Sequence, residues 1–196
     1  MKHIKNYKAG NRSVSSGQVL SCPYTAEKAR IVIFEMLDAL VLDLVDKGLV
    51  TDSISIDLGY DKEAVDSGLY VGEVHTDRYG RNIPKHSHGL IRLGTHTSSG
   101  EKIIEPAMQL YDRIVNPALT LRRLNVTACN VLPEEEGAYQ YDLFTTPEKL
   151  SEERKLQEAM LSIKKKFGSN AILRGTSFVE GATARERNSQ IGGHKA

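Results

Sequence analysis

The sequence predicts an α+β fold: a four-stranded sheet with two helices on one face, in the order β-α-β-β-α-β, then a C-terminal helix and an extended tail. Three observations carry this. Two stretches set apolar residues at helical spacing, four others are β-prone or alternate with a period of two, and Gly, Pro and capping residues fall between them. Beyond residue 146 the pattern changes, first to a charged helix and then to an aperiodic mixture of Gly, Ser, Thr, Asn and Arg.

The first strand is residues 12–20 (RSVSSGQVL), stopped by Pro23. Thr25 is a candidate N-cap, and Ala29, Ile33, Met36, Leu37, Leu40 and Leu44 form one apolar stripe at helical spacing. Gly48 supplies a C-terminal stop. The second strand, 53–60, alternates: Ile54, Ile56, Leu58 and Tyr60 point one way, and Ser53, Ser55, Asp57 and Gly59 the other. The connection 61–87 carries Gly68, Gly72 and Gly80 among polar residues and reads as a protruding or mobile hairpin. Residues 90–97 are the third strand. Ser99 is an N-cap for a second helix with Ile104, Met108, Tyr111 and Val115 on its apolar side, ended by Asn116-Pro117. The fourth strand is 121–132, with Leu124, Val126 and Ala128 facing the core and Arg123, Asn125 and Thr127 facing away. A charged helix over 148–167 follows, with a narrow apolar edge of Leu156, Met160 and Ile163. The tail, 168–196, is expected to be ordered only if something holds it.

Two helices on one face of a sheet leave the other face open to a partner or to water. Charge suggests which partner. The formal net charge is only +1, but it is segregated. Residues 1–21, 78–100 and 117–133 contain Lys and Arg and no acid, whereas acids concentrate between Glu35 and Asp77. A ferredoxin-like strand order would set strands four, one and three side by side, with strand two at the edge. The three acid-free segments would then form one basic surface suited to a polyanion.

Other classes are disfavoured. Hydrophobic residues at 40% and charged residues at 26% are ordinary for a globular protein. Two cysteines, Cys22 and Cys129, do not make a disulfide scaffold, and a reducing, cytoplasmic setting is expected. No apolar run reaches membrane-spanning length, and the first ten residues are polar and basic, unlike a signal peptide. His75, His86, His88 and His96 flank the third strand without CxxC or HxxxH spacing, so no metal site is expected. Neither cysteine has the His/Asp pattern of a nucleophile.

RSVSSGQVL, the helix after it, the strand SISIDLGY and the passage LTLRRLNVTACNVLP resemble the little finger of Y-family (translesion) DNA polymerases, in the ImpB/MucB/SamB (UmuC-like) branch. The ending KLQEAMLSIKKKFGSNAILRGTS…GATARERNSQIGGHKA is similar to that branch too. The resemblance implies a module whose sheet lies across the major groove and grips primer–template duplex by its phosphates, in damage bypass and SOS-type DNA repair. Carried over, it assigns phosphate contact to Arg12, Ser13 and Ser15 on strand one and to Arg122 and Arg123 on strand four. Charge and position add Arg92, Thr95 and Ser98 on and after strand three. On this reading 1–11 is a linker from the thumb, 12–133 the little finger, 134–146 a linker, 147–167 a helix and 168–196 the tail. The family's catalytic carboxylates, which hold two metal ions (Mg2+), lie in a palm domain, and nothing here matches them. The chain is therefore expected to be a fragment that binds DNA without polymerising it and needs no cofactor. Self-association through exposed strand edges is a further expectation for such a fragment.

Gln140-Tyr141-Asp142-Leu143-Phe144 resembles the QxxLF pentapeptide that docks bacterial polymerases on the sliding clamp. Gln140 would supply amide hydrogen bonds, while Leu143 and Phe144 enter an apolar pocket. The competing reading makes the same sheet a protein–protein interaction module. Salt dependence of DNA binding separates the two.

Overall fold

The computed structural model describes residues 12–68, 70–137, 147–191 and 194–195. The sheet contains β1 (Val14–Tyr24), β2 (Leu49–Tyr60), and two strands reached after helical or hairpin excursions. Strand β1 continues past Pro23, where the sequence predicts a stop, but its pairing with β6 slips between Val19 and Tyr24, and β1 lies at the sheet edge, where proline is tolerated. Helix α1 (Ala26–Asp46) follows, its first turn capped by Thr25, whose hydroxyl accepts from the Lys28 N–H. Gly48, at φ +61°, ends it in the left-handed conformation that a side chain disfavours.

After β2 comes the predicted protruding hairpin. It consists of a single helical turn, α2 (Glu63–Asp66), and two short antiparallel strands, β3 (Val74–Thr76) and β4 (Asn82–Pro84). Next are β5 (Ser87–Thr97), α3 (Gly100–Ile114) and β6 (Leu121–Cys129). Ser99 caps α3 by accepting from the Lys102 N–H. Strand β6 is shorter than expected because Asn130 adopts φ +49°, a conformation asparagine tolerates, and its amide donates to Asp52. The chain then resumes as β7 (Leu132–Pro133), paired with the start of β2.

The strand order is β1-β6-β2-β5, with every pairing antiparallel. This corrects the ferredoxin-like order: strand two is interior, and the third predicted strand, now β5, is the edge. Each β-α-β unit leaves a gap one strand wide, and the other unit fills it. The residues of β2 fit an interior place. Ile54, Ile56 and Leu58 are fully buried on the core side, and on the other side Ser53 and Ser55 are small enough to be covered by taller neighbours. The acid-free segments are consequently not contiguous. β1 and β6 are neighbours, but β2 with its Asp57 separates them from β5.

Helices α1 and α3 cover one face of the sheet. Ala29, Val32, Ile33, Met36 and Leu37 of α1 and Ile103, Ala107, Leu110 and Tyr111 of α3 are buried against Leu124, Val126, Ile54 and Ile56. Each large apolar side chain so buried contributes about 1.5–3 kcal/mol. A third layer lies outside α1. Helix α4 (Pro147–Phe167) and the stretch 168–191, read from the sequence as an extended tail, contact α1; the latter holds a 3-10 turn (Gly175–Phe178) and the short α5 (Ala184–Asn188). Gln190–Ile191 and His194–Lys195 pair as β8 and β9. Among the described residues no helix is long and apolar enough to cross a membrane.

Candidate nucleic-acid interface

The face of the sheet opposite the helices is built by strand alternation. Because paired residues share a face, the register fixes its rows. Ser15 of β1, Thr127 of β6, Ser55 of β2 and Leu90 of β5 form one row. Gly17, Asn125, Asp57 and His88 form the next, and Val19, Arg123 and Gly59 a third. At the opposite end Cys129, Ser53 and Arg92 align. The middle of the face is low because most of its side chains are short: Ser15, Thr127 and Ser55 in one row and Gly17, Asn125 and Asp57 in the next.

A hydrogen-bonded chain crosses this face. Ser15 Oγ donates to Asn125 Oδ1 at 3.0 Å and lies 3.0 Å from Thr127 Oγ1. Asn125 Nδ2 donates to Thr127 Oγ1 at 3.2 Å and reaches Asp57 Oδ2 at 3.4 Å, and Asp57 Oδ1 meets His88 Nδ1 at 2.6 Å. Asp57 is thus a carboxylate in the centre of the open face, matched by an imidazole and an amide. Its position was legible in the alternation of strand two, but its partners came from strands that sequence could not pair. At the rim, burial first, and then the nearby Asp52 and Asp57, push the Cys129 thiol up and keep it protonated.

The predicted phosphate contacts divide into four groups. Arg122 and Arg123 stand together at one end of the sheet, where the β2–β6 register slips between Gly59 and Tyr60 and brings both side chains out beside the hairpin. Arg92 is exposed on β5 at the other end. Arg12 and Ser13 are exposed at that end as well, the Arg12 carbonyl accepting from the Val131 N–H at 3.0 Å beyond β6. Ser15 lies in the hydrogen-bonded chain. Among the described residues none of Arg12, Arg92, Arg122 and Arg123 has an acidic partner within ion-pair distance. Thr95 and Ser98 lie elsewhere. Thr95 is half-buried, with its hydroxyl on the His96 carbonyl. Ser98 is buried beside α4, where Gln157 Nε2 donates to its carbonyl and Arg154 Nη1 to its hydroxyl. Gln140, Leu143 and Phe144 lie outside the described residues.

Arg122 and Arg123 also wall a cleft of about 460 Å³ between the sheet end and the hairpin, with Val19, Tyr60, Arg81 and His86. Sequence reasoning found the two arginines but not Arg81 or His86, since nothing local shows that the hairpin folds back toward β6. Among the described residues no three His, Cys, Asp or Glu side chains converge as metal ligands would. The arrangement offers unpaired guanidinium groups at both ends of a low, hydroxyl- and amide-rich floor.

A family profile, the impB/mucB/samB family C-terminal domain, matches residues 11–143. The chain is 26% identical over 188 residues to the "Putative UV-damage repair protein UvrX" of Bacillus subtilis (strain 168), which covers 95% of this chain and 40% of that protein. It is 33% identical over 111 residues to "DNA polymerase IV 2" of Halalkalibacterium halodurans, covering 57% of this chain and 26% of that protein. The chain spans less than half the length of these curated relatives. With a profile match running from the start of β1 past β7, on a sheet-and-two-helix fold, the chain belongs to the impB/mucB/samB (UmuC-like) family of Y-family polymerases and carries its C-terminal, little-finger-like domain.

Proposed function

We propose that this region grips primer–template DNA during translesion synthesis, holding the duplex by its phosphates. The observation that carries the reading is the pair of unneutralised arginine groups at opposite ends of the open face. From Gly59, beside Arg123, to Ser53, beside Arg92, the strand advances about 20 Å. That exceeds the ~12 Å width of the major groove. The low centre can face the groove while Arg122 and Arg123 on one side and Arg12 and Arg92 on the other reach phosphate. Such contacts position the duplex and carry no base code, as suits an enzyme that passes distorted templates. Asp57 disfavours phosphate at the centre and so steers the strands to the rims.

Polymerisation itself belongs, on this reading, to a palm domain with its Mg2+ ions, and this region contributes DNA retention. Gln140, Leu143 and Phe144 are proposed to dock the polymerase on the sliding clamp. The test of the grip is a fluorescence-anisotropy titration of primer–template duplex at several salt concentrations. The double variant Arg122→Ala/Arg123→Ala is expected to weaken binding and to lower the slope of log K against log[salt] by about 2. Undiminished affinity with an unchanged slope would remove these arginines from the phosphates. For the clamp, Leu143→Ala/Phe144→Ala is expected to abolish capture by immobilised clamp without altering DNA affinity.

A further inference from the structure

The β3–β4 hairpin carries recognition chemistry of a kind the sheet face lacks. Its loop is a turn closed by the Gly80 N–H on the Asp77 carbonyl at 2.9 Å, with the Asp77 N–H returning to the Arg81 carbonyl at 2.9 Å. Gly80 sits at φ +75°, which completes a three-residue loop with a glycine bulge. Asp77 locks this loop from within. Its Oδ1 accepts from the Tyr79 N–H at 2.8 Å and the Arg81 N–H at 3.0 Å, and its Oδ2 accepts from Arg81 Nε and Nη2 at 2.8 and 2.6 Å. The tip is therefore preorganised. What it presents is Tyr79, 63% exposed, with the Arg78 guanidinium 4.8 Å and the Arg81 guanidinium 5.1 Å from its ring centroid.

The exposed ring stands on a rigid loop outside the hydrophobic core, and its neighbours are the two arginines of its own loop. Duplex phosphates do not call for an aromatic ring, and stacked base pairs do not offer a face to it. Unpaired bases do, and aromatic rings flanked by arginine are how proteins hold them. The surrounding charge is consistent. Asp77 neutralises Arg81, Glu73 neutralises Lys85 and Asp66 neutralises Lys62. Arg78, by contrast, has no carboxylate partner among the described residues and donates to the Tyr79 hydroxyl at 2.6 Å. Asp77, Arg81 and Ile83 of the hairpin line the cleft that Arg122 and Arg123 also wall, so the base of this loop adjoins the proposed duplex grip.

We propose that the hairpin tip is a stacking platform for an unpaired nucleobase, with Tyr79 as the platform and Arg78 as its phosphate partner. The chain then holds single-stranded template beside the duplex as well as the duplex itself. This inference rests on the DNA-binding reading above, and its test separates the two. The full chain is titrated with a blunt duplex and with the same duplex bearing a 5′ single-stranded template overhang. Wild type is expected to bind the overhang DNA roughly 5- to 150-fold tighter, the range of one stacked base. Tyr79→Ala is expected to lose that increment and leave blunt-duplex affinity unchanged, and Tyr79→Phe to retain it, since the ring and not the hydroxyl stacks. Equal wild-type affinity for the two DNAs, or a Tyr79→Ala variant weakened on both alike, overturns the platform. Tyr79-dependent binding of the overhang without any binding of blunt duplex would instead overturn the duplex grip and leave the platform standing.

Discussion

Glu35 is a carboxylate set among apolar residues of α1, 5% exposed, and it holds the C-terminal segment in place. Its Oε2 accepts from the Thr183 N–H at 2.8 Å and the Ala184 N–H at 3.0 Å, at the entry to α5. Its Oε1 is buried without a partner among the described residues. Gln18, on the core side of β1, joins the latch by accepting from Arg187 Nη1 at 3.2 Å. Burial pushes the Arg187 guanidinium down from its usual range, and the charge of Glu35 opposes that shift. Replacing Glu35 by Ala strands two backbone donors and removes the negative charge near Arg187. We expect Glu35→Ala to cost about 1–3 kcal/mol in urea denaturation and to make residues 168–191 the first site of proteolysis. Unchanged protection of that segment would mean that the latch lies elsewhere. The residue was legible as an oddity, an acid between Phe34 and Met36. Its partners lie some 150 positions away in a segment with no period, so the reason for it was not.

Helix termini and the hairpin show how single elements are braced. The N-terminus of α3 is closed twice: Ser99 caps it, and Glu153 of α4 accepts from the Ser99 hydroxyl at 2.6 Å and the Gly100 N–H at 2.7 Å. A carboxylate at a helix N-terminus also meets the positive end of the helix dipole. Thr25→Ala, which removes a lone cap from α1, should therefore cost about 1 kcal/mol, while Ser99→Ala and Glu153→Ala each cost more and loosen α4. Both caps were legible because capping is local. The apolar side of α3 was less so, since Ile103 and Ala107 are more deeply buried than the expected Ile104, a rotation that depends on where the sheet lies. The hairpin adds a pH signature. Hydrogen bonds from the Arg81 side chain, helped by the Arg81 and Tyr79 amides, lower the Asp77 carboxyl from 3.8 to about 2. The folded value is the depressed one, so the stabilisation is complete above pH 3.8 and disappears as the pH falls toward 2. The amide NMR signals of Tyr79 and Arg81 should titrate with an apparent pKa of about 2, and Asp77→Asn should remove that titration. A titration near 3.8 would show that the loop is not locked as described.

At the scale of the molecule, the sheet separates two tasks. One face is open and rimmed by arginine; the other is buried under α1 and α3, with α4 and the C-terminal segment stacked outside α1. The sequence reading reached the two helices and the alternating strands because their periods are local. It missed the third layer, although α1 carried a signal: Val41, Leu42 and Val45 lie off the stripe of Ala29, Ile33, Met36 and Leu37 and are buried as well. A helix apolar on more than one side must be covered on more than one side. The strand order was out of reach for a different reason, since two arrangements satisfy the same alternation and only the packed molecule chooses between them. Separation of the faces makes a prediction that neither element makes alone. A chain ending at residue 167 loses the Thr183 and Ala184 donors to Glu35 and the ion pairs Arg174–Asp38 and Lys28–Glu180. It should unfold at lower urea, by at least the about 1–3 kcal/mol of a stranded buried carboxylate, and bind a hydrophobic dye more strongly. Its affinity for blunt duplex, measured where it is fully folded, should match that of the longer chain, because Arg92 and Arg123 of the grip stand on the open face, on the far side of the sheet from α1 and the layer outside it. A loss of affinity at full foldedness would mean that the C-terminal segment itself reaches DNA, and that the two faces are not independent.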